Sequence, residues 1–158
     1  MAIHATALVY RESGVLIRGP SGSGKSSLAL ALLELARERR CFAGLIGDDR
    51  VLVRPISGRL AARCAANIEG LIERRGWGII RTDKTVSALI RVVVDLLPRG
   101  DESPRVACSE ERSVEIAGIV LPQVILGGGA SSFERAYALI EDLDKRGCGS
   151  MGIIANFA

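Results

Sequence analysis

Aromatic residues and histidine are scarce in this chain. Phe, Trp and Tyr make up 4% of its 158 residues and there is a single histidine, although 48% of the residues are hydrophobic. A chain of this length can bury a substantial core, and here that core has to be built from Leu, Ile, Val and Ala. The length fits one domain, so we take residues 1–158 as a single unit.

A large excess of charge and a long apolar run are also missing. The net charge is +3 and no dense basic run is present, which argues against nucleic acid as a partner. The longest apolar run, residues 28–33, is far too short to span a bilayer, and the N-terminus has no signal-peptide pattern. We therefore expect a soluble, cytoplasmic protein with no membrane partner.

The cysteines do not form a recognisable framework. Cys41, Cys64, Cys108 and Cys148 include no C-x-x-C pair, and no histidine lies near them in the sequence. In a chain of this size, that spacing indicates free thiols in a reducing compartment and argues against both a disulfide scaffold and a zinc site.

One stretch carries a specific chemical signal. It is Gly19-Pro20-Ser21-Gly22-Ser23-Gly24-Lys25-Ser26, which fits the pattern G-x-x-x-x-G-K-[ST] at each fixed position. Its glycines let consecutive backbone N–H groups point at one phosphate. Lys25 supplies a cation for the outer phosphates and Ser26 a hydroxyl for Mg²⁺. The pattern therefore predicts a phosphate-binding loop.

The context of the loop supports this interpretation over a chance match. The apolar run 14–18 predicts a buried strand before the loop, and regularly spaced leucines predict a helix over 27–40. The N-terminus of that helix would point at the bound phosphate.

The rest of the chain reads as an α/β domain. Further strands are predicted at 3–10, 41–47, 51–54, 77–80, 86–97 and 114–126, and the first of these pairs with 14–18 in a hairpin. A turn is predicted at 55–59, a weakly helical segment at 68–74 and a mobile loop at 98–112. A second helix begins after Ser131 or Ser132 as its cap and runs to about Lys145.

An acidic pair, Asp48 and Asp49, follows the strand predicted at 41–47. This is where enzymes with a phosphate loop hold metal-binding and catalytic carboxylates. Neighbouring residues on a strand face opposite ways, so one carboxylate can reach the metal while the other faces the acceptor hydroxyl. A plain strand-to-turn junction is the alternative, and the nearby phosphate loop favours the functional interpretation.

Several motifs together resemble one family. The lone His4, the phosphate loop, G-D-D-R-V at 47–51 and E-R-R-G-W-G-I-I at 73–80 are similar to the catalytic domain of the HPr kinase/phosphorylase family. That family has a histidine before the loop, an A-D-D-R-V motif after it and an E-I-R-G-x-G-I-I signature further on. The match runs from His4 to about Leu97. Taken alone, His4 would be read as a packed or surface residue, and 73–78 equally as a turn or as a site.

The resemblance implies a fold and an activity. The fold would be an α/β phosphate-loop domain with a mixed sheet, as in the HPr kinase and phosphoenolpyruvate carboxykinase group, in the short form with the catalytic domain only. The activity would be ATP- and Mg²⁺-dependent phosphorylation of a serine on an HPr-like phosphocarrier protein. A homo-oligomer is expected.

The resemblance also implies roles for single residues. Asp49 would be the base for the serine hydroxyl and the acid in the reverse reaction. Lys25 would hold the transferred phosphoryl group, with His4 beside it. Arg105 is the closest match to a further catalytic arginine of the family.

The implied metal site uses the acidic pair as well as the family signature. Ser26 and Glu73 would bind Mg²⁺ by resemblance, and Asp48 would join them from the acidic pair.

Two departures from the family limit what it implies. The glycine-rich insertion that usually follows G-I-I is missing, and the late P-V-x-x-G-R-N segment appears as P-Q-V-I-L-G-G-G at 122–129, without arginine or lysine. We therefore expect at most weak phosphorolysis of the phosphoserine. Two alternatives stay open: a small-molecule kinase that uses the same loop and Asp49, and a nucleotide-sensing regulatory module with little turnover.

Overall fold

A computed structural model describes residues 1–65, 68–101 and 112–154. Within these ranges the chain forms eleven strands and two helices. The strands are β1 (Ala2–Ile3), β2 (Thr6–Tyr10), β3 (Ser13–Arg18), β4 (Ala43–Gly47), β5 (Val51–Ile56), β6 (Arg59–Cys64), β7 (Leu71–Arg74), β8 (Gly78–Arg81), β9 (Ser87–Leu96), β10 (Ser113–Ile116) and β11 (Ile119–Leu126). The helices are α1 (Lys25–Glu38) and α2 (Ser132–Ile154).

Nine of these strands form one mixed sheet. Its main order is β1-β5-β6-β9-β3-β2-β4, and the β10–β11 hairpin joins it through β11. Strand β9 pairs in parallel with β3 along one edge. Along its other edge β9 pairs first with β6, antiparallel, and then with β11, parallel. The remaining two strands, β7 and β8, form a separate hairpin.

The centre of the sheet is buried on both faces. Val92, Val93 and Val94 of β9 are all fully buried. Val92 and Val94 belong to the core that packs against α1 and α2, whereas Val93 belongs to a second core closed by β5, β6 and the β10–β11 hairpin. Because side chains alternate along a strand, a stretch covered on both faces reads as an unbroken apolar run, and residues 92–94 form such a run between Arg91 and Asp95.

Most predicted elements are present. The hairpin of β2 and β3, the strands around 41–47, 51–54, 77–80 and 86–97, and the helix after the loop are confirmed. The second helix begins at Ser132 and extends beyond the predicted end, to Ile154. Ser131 caps it, since the Ser131 Oγ accepts from the Glu134 N–H at 3.2 Å and the Glu134 carboxylate accepts from the Ser131 N–H at 2.8 Å.

Three local predictions were wrong. The segment 68–74, expected to be weakly helical, contains strand β7, which is stabilised by pairing with β8. The turn expected at 55–59 is shorter, because β5 continues to Ile56 and β6 begins at Arg59. The single strand expected at 114–126 is a hairpin, turning at Ala117 and Gly118, both of which have positive φ.

The predicted loop at 98–112 lies mostly outside the described residues, and so does Cys108. Cys41 and Cys64 are free thiols. Among the described residues, neither helix combines the length and apolar character needed to cross a membrane.

A polar cluster ties together the ends of the parallel strands. Arg18, at the end of β3, donates two hydrogen bonds of 2.8 and 2.7 Å to the Asp95 carboxylate on β9, and Gln123 of β11 donates a third of 2.6 Å. Burial alone would raise the pKa of Asp95, but the hydrogen bonds from Arg18 and Gln123 and the guanidinium charge outweigh it, so the pKa is lowered. The cluster therefore holds a charged carboxylate just before the phosphate loop begins.

We predict that Asp95→Asn destabilises the fold in a pH-dependent way. A carboxylate with a lowered pKa stabilises the folded state above its unfolded-state pKa, and this contribution is lost as the pH falls through the folded-state value. At pH 7 we expect the variant to lose about 2 kcal/mol of unfolding free energy, measured by urea denaturation. The difference from the original protein should shrink as the pH falls below about 4. An equal difference at neutral and acidic pH would contradict the assigned charge.

Candidate active site

The glycine-rich loop lies between β3 and α1, and its backbone requires its fixed glycines. Gly24 has φ of 96° and caps the N-terminus of α1, a conformation that side chains other than glycine rarely adopt. At Gly19, a Cβ would lie 2.6 Å from the Ser23 Oγ and 2.8 Å from the Leu96 carbonyl oxygen. The loop thus packs directly against the end of β9 while its N–H groups lie at the start of a helix, where anions bind favourably.

Lys25 folds back over this loop. Its side chain is nearly buried, with 8% of the residue exposed. The Lys25 Nζ donates to the carbonyl oxygens of Gly19 at 3.0 Å and Pro20 at 3.2 Å. Both acceptors are neutral, so the ammonium can exchange them for a phosphate oxygen, to which a charge-assisted hydrogen bond is stronger.

Asp48 points inward from the end of β4 and collects three donors. Its carboxylate accepts from the Thr6 Oγ1 at 2.6 Å, from the Ser26 Oγ at 2.9 and 3.0 Å, and from the Glu73 N–H at 3.4 Å. Thr6, which is fully buried on β2, was missed by sequence reasoning. The three donors orient the carboxylate toward the hydroxyl that follows the loop lysine.

The oxygen atoms of Asp48 and Ser26 suit Mg²⁺ as ligands. In the described part of the chain no group of three or more His, Cys, Asp or Glu side chains could hold a metal ion. Mg²⁺, however, is commonly held by one or two carboxylates together with substrate phosphates and water. The Asp48 carboxylate and the Ser26 hydroxyl, already in contact, fit that requirement. The exposed Glu73, whose backbone contacts Asp48, lies at the same place.

Asp49 faces the opposite way. It has φ of 65°, an uncommon conformation that aspartate tolerates better than most residues, and its side chain is 80% exposed. The His4 Nδ1 lies 2.9 Å from the Asp49 Oδ1 and 3.2 Å from the Asp49 carbonyl oxygen. The two adjacent carboxylates therefore have different surroundings. Both lie beyond the end of β4, and the difference comes with the positive φ of Asp49 instead of the strand alternation expected from the sequence.

The structure groups the predicted site residues in two sets. Ser26, Asp48 and the Glu73 backbone form one set beside the Lys25 loop, and Asp49 with His4 forms the other. Arg105 lies outside the described residues.

Sequence reasoning also missed Arg135. This residue of α2 is 7% exposed and its Nη1 donates to the Ser23 carbonyl oxygen of the loop at 3.4 Å. A signal was available, because Arg135 shares the spacing of Leu139 and Leu143, both buried, and an arginine on the buried face of a helix is unusual.

The comparisons with known proteins identify one family. Residues 1–126 match the family model of the HPr serine kinase C-terminal domain. The chain belongs to this family. The match extends past Leu97, where the resemblance of the sequence motifs ended, and includes both strands of the β10–β11 hairpin.

Individual relatives bear related names. The HPr kinase/phosphorylase of Burkholderia cenocepacia is 30% identical over 132 residues, which cover 78% of this chain and 39% of the relative. That of Mycoplasma mycoides subsp. mycoides is 40% identical over 76 residues, 48% of this chain and 22% of the relative. This chain thus aligns with less than two-fifths of the length of these curated relatives.

A solved structure matches over almost the whole chain. The HPr(Ser) kinase/phosphatase from Coxiella burnetii superposes with a TM-score of 0.73 at 25% identity, covering 96% of this chain and 99% of that one. The mixed α/β fold expected from the resemblance is confirmed.

We predict that the two carboxylates respond differently to amidation. Asp48→Asn should raise the Mg²⁺ concentration needed for half-maximal ATP binding by about 10- to 100-fold, since a metal ligand is lost. Asp49→Asn should leave it nearly unchanged, because that side chain contacts His4 and solvent. Calorimetric titration of Mg²⁺ at a fixed ATP concentration measures this Mg²⁺ requirement for both variants. Equal, mild effects at the two positions would indicate a turn without a metal-binding role.

Proposed function

We propose that this domain transfers the γ-phosphoryl group of ATP to a serine of an HPr-like phosphocarrier protein in the cytoplasm, and that it works as a homo-oligomer. The observation that carries the proposal is that two adjacent carboxylates have different contacts. Asp48 turns inward to Ser26 beside the loop, while Asp49 stays exposed beside His4. Membership of the HPr serine kinase C-terminal domain family supports the choice of substrate.

The exposed carboxylate acts on the acceptor. Asp49 takes the proton of the serine hydroxyl. The serine oxygen bonds to the γ-phosphorus as the bond from that phosphorus to ADP breaks. His4, in contact with both the Asp49 carboxylate and its backbone carbonyl, holds this side chain in place. Because 80% of the Asp49 side chain is accessible, a serine on the surface of another protein can reach it.

The loop and the inward carboxylate act on the nucleotide. Lys25 releases the two carbonyl oxygens and binds the transferred phosphoryl group. Asp48, Ser26 and Glu73 hold Mg²⁺, which neutralises phosphate charge when it is bound. Phosphoryl transfer depends mainly on such positioning and charge stabilisation. Arg105 remains our candidate for a further cation at the transferred group.

An open surface favours a protein acceptor over a metabolite. The β7–β8 hairpin that carries Glu73 exposes Trp77 to 78% and Ile79 to 73%. Exposed apolar side chains on a hairpin whose Glu73 N–H contacts Asp48 are suited to docking a partner protein. A small-molecule kinase would instead be expected to enclose its substrate.

The reverse reaction is expected to be weak. Phosphorolysis requires inorganic phosphate beside the phosphoserine, and two anions at close range need fixed positive charge between them. The segment 122–129 supplies none. Its Gly128 packs so closely on the chain that a Cβ there would lie 2.5 Å from the Pro98 carbonyl oxygen. We expect the phosphorylation of HPr to exceed pyrophosphate release from phosphorylated HPr strongly, even at millimolar phosphate.

Two substitutions test the kinase assignment. Asp49→Asn should keep ATP binding and slow transfer to HPr by about 10²- to 10⁴-fold, the range for losing a general base. Lys25→Ala should abolish transfer. Labelled ATP and purified HPr, with mass spectrometry of the product, measure both. Asp83→Asn is the matched control, because Asp83 is similarly exposed, at 78%, and its carboxylate contacts Arg37.

The same assay separates the alternatives. Labelling of a serine on HPr supports the proposal. Transfer to small metabolites, or hydrolysis alone, supports a small-molecule kinase. Tight ATP binding with no turnover supports a nucleotide-sensing module. Near-normal transfer by Lys25→Ala would contradict the assignment of the phosphate loop.

A further inference from the structure

A buried arginine lies directly behind the phosphate-binding loop. Arg135, in the first turn of α2, donates from Nε to the Ala130 carbonyl oxygen at 3.0 Å and from Nη1 to the Ser23 carbonyl oxygen at 3.4 Å. A Cβ built on Gly24 would lie 3.9 Å from both Nη atoms of Arg135. The guanidinium therefore rests against the backbone of the last glycine of the loop, without a side chain between them.

No carboxylate of the described residues neutralises the charge of this guanidinium. Across residues 1–65, 68–101 and 112–154, no carboxylate forms an ion pair with Arg135, and both of its acceptors are carbonyl oxygens. Burial, and then the nearby charge of Arg99, lower the pKa of Arg135. An arginine nevertheless stays protonated in proteins at neutral pH. A desolvated cation next to a second cation is costly, and an anion bound close by would relieve that cost.

The loop in front of Arg135 also has an unmet polar group. The Ser23 Oγ is buried and has no hydrogen-bond partner among the described residues. The carbonyl oxygen of the same residue accepts from Arg135. Buried polar groups are nearly always paired, so a loop with one unpaired hydroxyl and one uncompensated cation at its back is incomplete by itself.

We propose that Arg135 is a positioning residue of the phosphate site. Its fixed charge attracts the phosphates of a nucleotide and keeps the loop open for them. It acts through the backbone of Ser23 and Gly24 and does not touch the phosphates. This inference rests on the proposed nucleotide-dependent function, and names a residue of that site which the loop motif does not contain.

Arg135 and Lys25 then have different tasks. The Lys25 ammonium reaches the phosphates from the front and has to exchange its present acceptors. Arg135 is fixed by helix α2 and needs no rearrangement, and preorganised charge of this kind is the more effective in a site shielded from water.

The test compares three variants of the full chain. Arg135→Met removes the charge at similar length, Arg135→Lys keeps it, and Arg146→Met removes a cation from the same helix where it pairs with Asp142 instead. Dissociation constants for MgATP and for inorganic tripolyphosphate are measured by calorimetry, with melting temperatures recorded without ligand. Tripolyphosphate isolates the phosphate contribution from that of the base.

We expect Arg135→Met to weaken both ligands by about 10- to 100-fold, by similar factors, because the lost attraction is to phosphate. Arg135→Lys should remain within about fivefold of the original protein, since the charge is retained. Arg146→Met should bind normally. A folded Arg135→Met with unchanged affinity, or an equal loss in Arg146→Met, would overturn the inference. A fall in melting temperature alone, with affinity preserved, would show a purely structural role and would also overturn it.

A measurement on the unmodified protein covers the case in which Arg135→Met does not fold. The side-chain Nε–H resonance of Arg135 should shift when tripolyphosphate saturates the site, and an unmoved resonance would contradict the inference.

None of these measurements uses HPr. If the protein binds both ligands as expected and transfers nothing to HPr, the proposed kinase function fails while the role of Arg135 stands.

Discussion

The parallel pairing of β3 with β9 determines where the candidate site forms. Because the two strands run in the same direction, their ends lie side by side, and the loop that follows β3 emerges against the last residues of β9. The closeness of this contact is visible at Gly19, where even a Cβ would collide with the Leu96 carbonyl oxygen. Arg18 and Asp95, one on each strand, hold these ends together by two hydrogen bonds. The orientation of the phosphate loop is therefore a property of the sheet.

From that edge, the site is assembled by hydrogen bonds between residues far apart in sequence. Thr6 of β2 and Ser26 of α1 both donate to Asp48, so a strand before the loop and the helix after it converge on one carboxylate. The next residue, Asp49, is turned outward by its positive φ and contacts His4 instead. Two identical side chains in adjacent positions thus acquire different surroundings, because the backbone reverses direction between them.

How far the sequence could predict this arrangement depends on the range of the interactions involved. The strand, loop and helix around Lys25 were predictable, because glycine positions and apolar spacing are local signals. Strand β7 was not, since its short segment Leu71–Arg74 is extended only by pairing with β8. Strand β6 was also missed, although the alternation of its exposed arginines with buried residues is a local signal of a half-buried strand.

The site shows the same limit. His4 and Glu73 could be singled out only through a family resemblance. The spacing of Arg135 with Leu139 and Leu143 could indicate that it is buried, but not that it contacts Ser23, 112 positions earlier in the chain. Chemistry confined to one short motif could be predicted from it. Chemistry that depends on the packing of α2 against the loop could not, because no local pattern specifies which residue the helix will meet.

Two arginines near the loop, the partly buried Arg18 and the buried Arg135, show how charge is divided between the fold and the candidate site. Arg18 is paired with a carboxylate and a glutamine completes the cluster, so its charge is satisfied within the protein and its effect is to fix the strand ends. Arg135 contacts the loop itself but has carbonyl oxygens as acceptors. An arginine that is already neutralised contributes little to binding an anion, whereas one held by neutral dipoles keeps most of its field. The difference in partners, more than the distance from the loop, separates a structural ion pair from a cation available to a phosphate ligand.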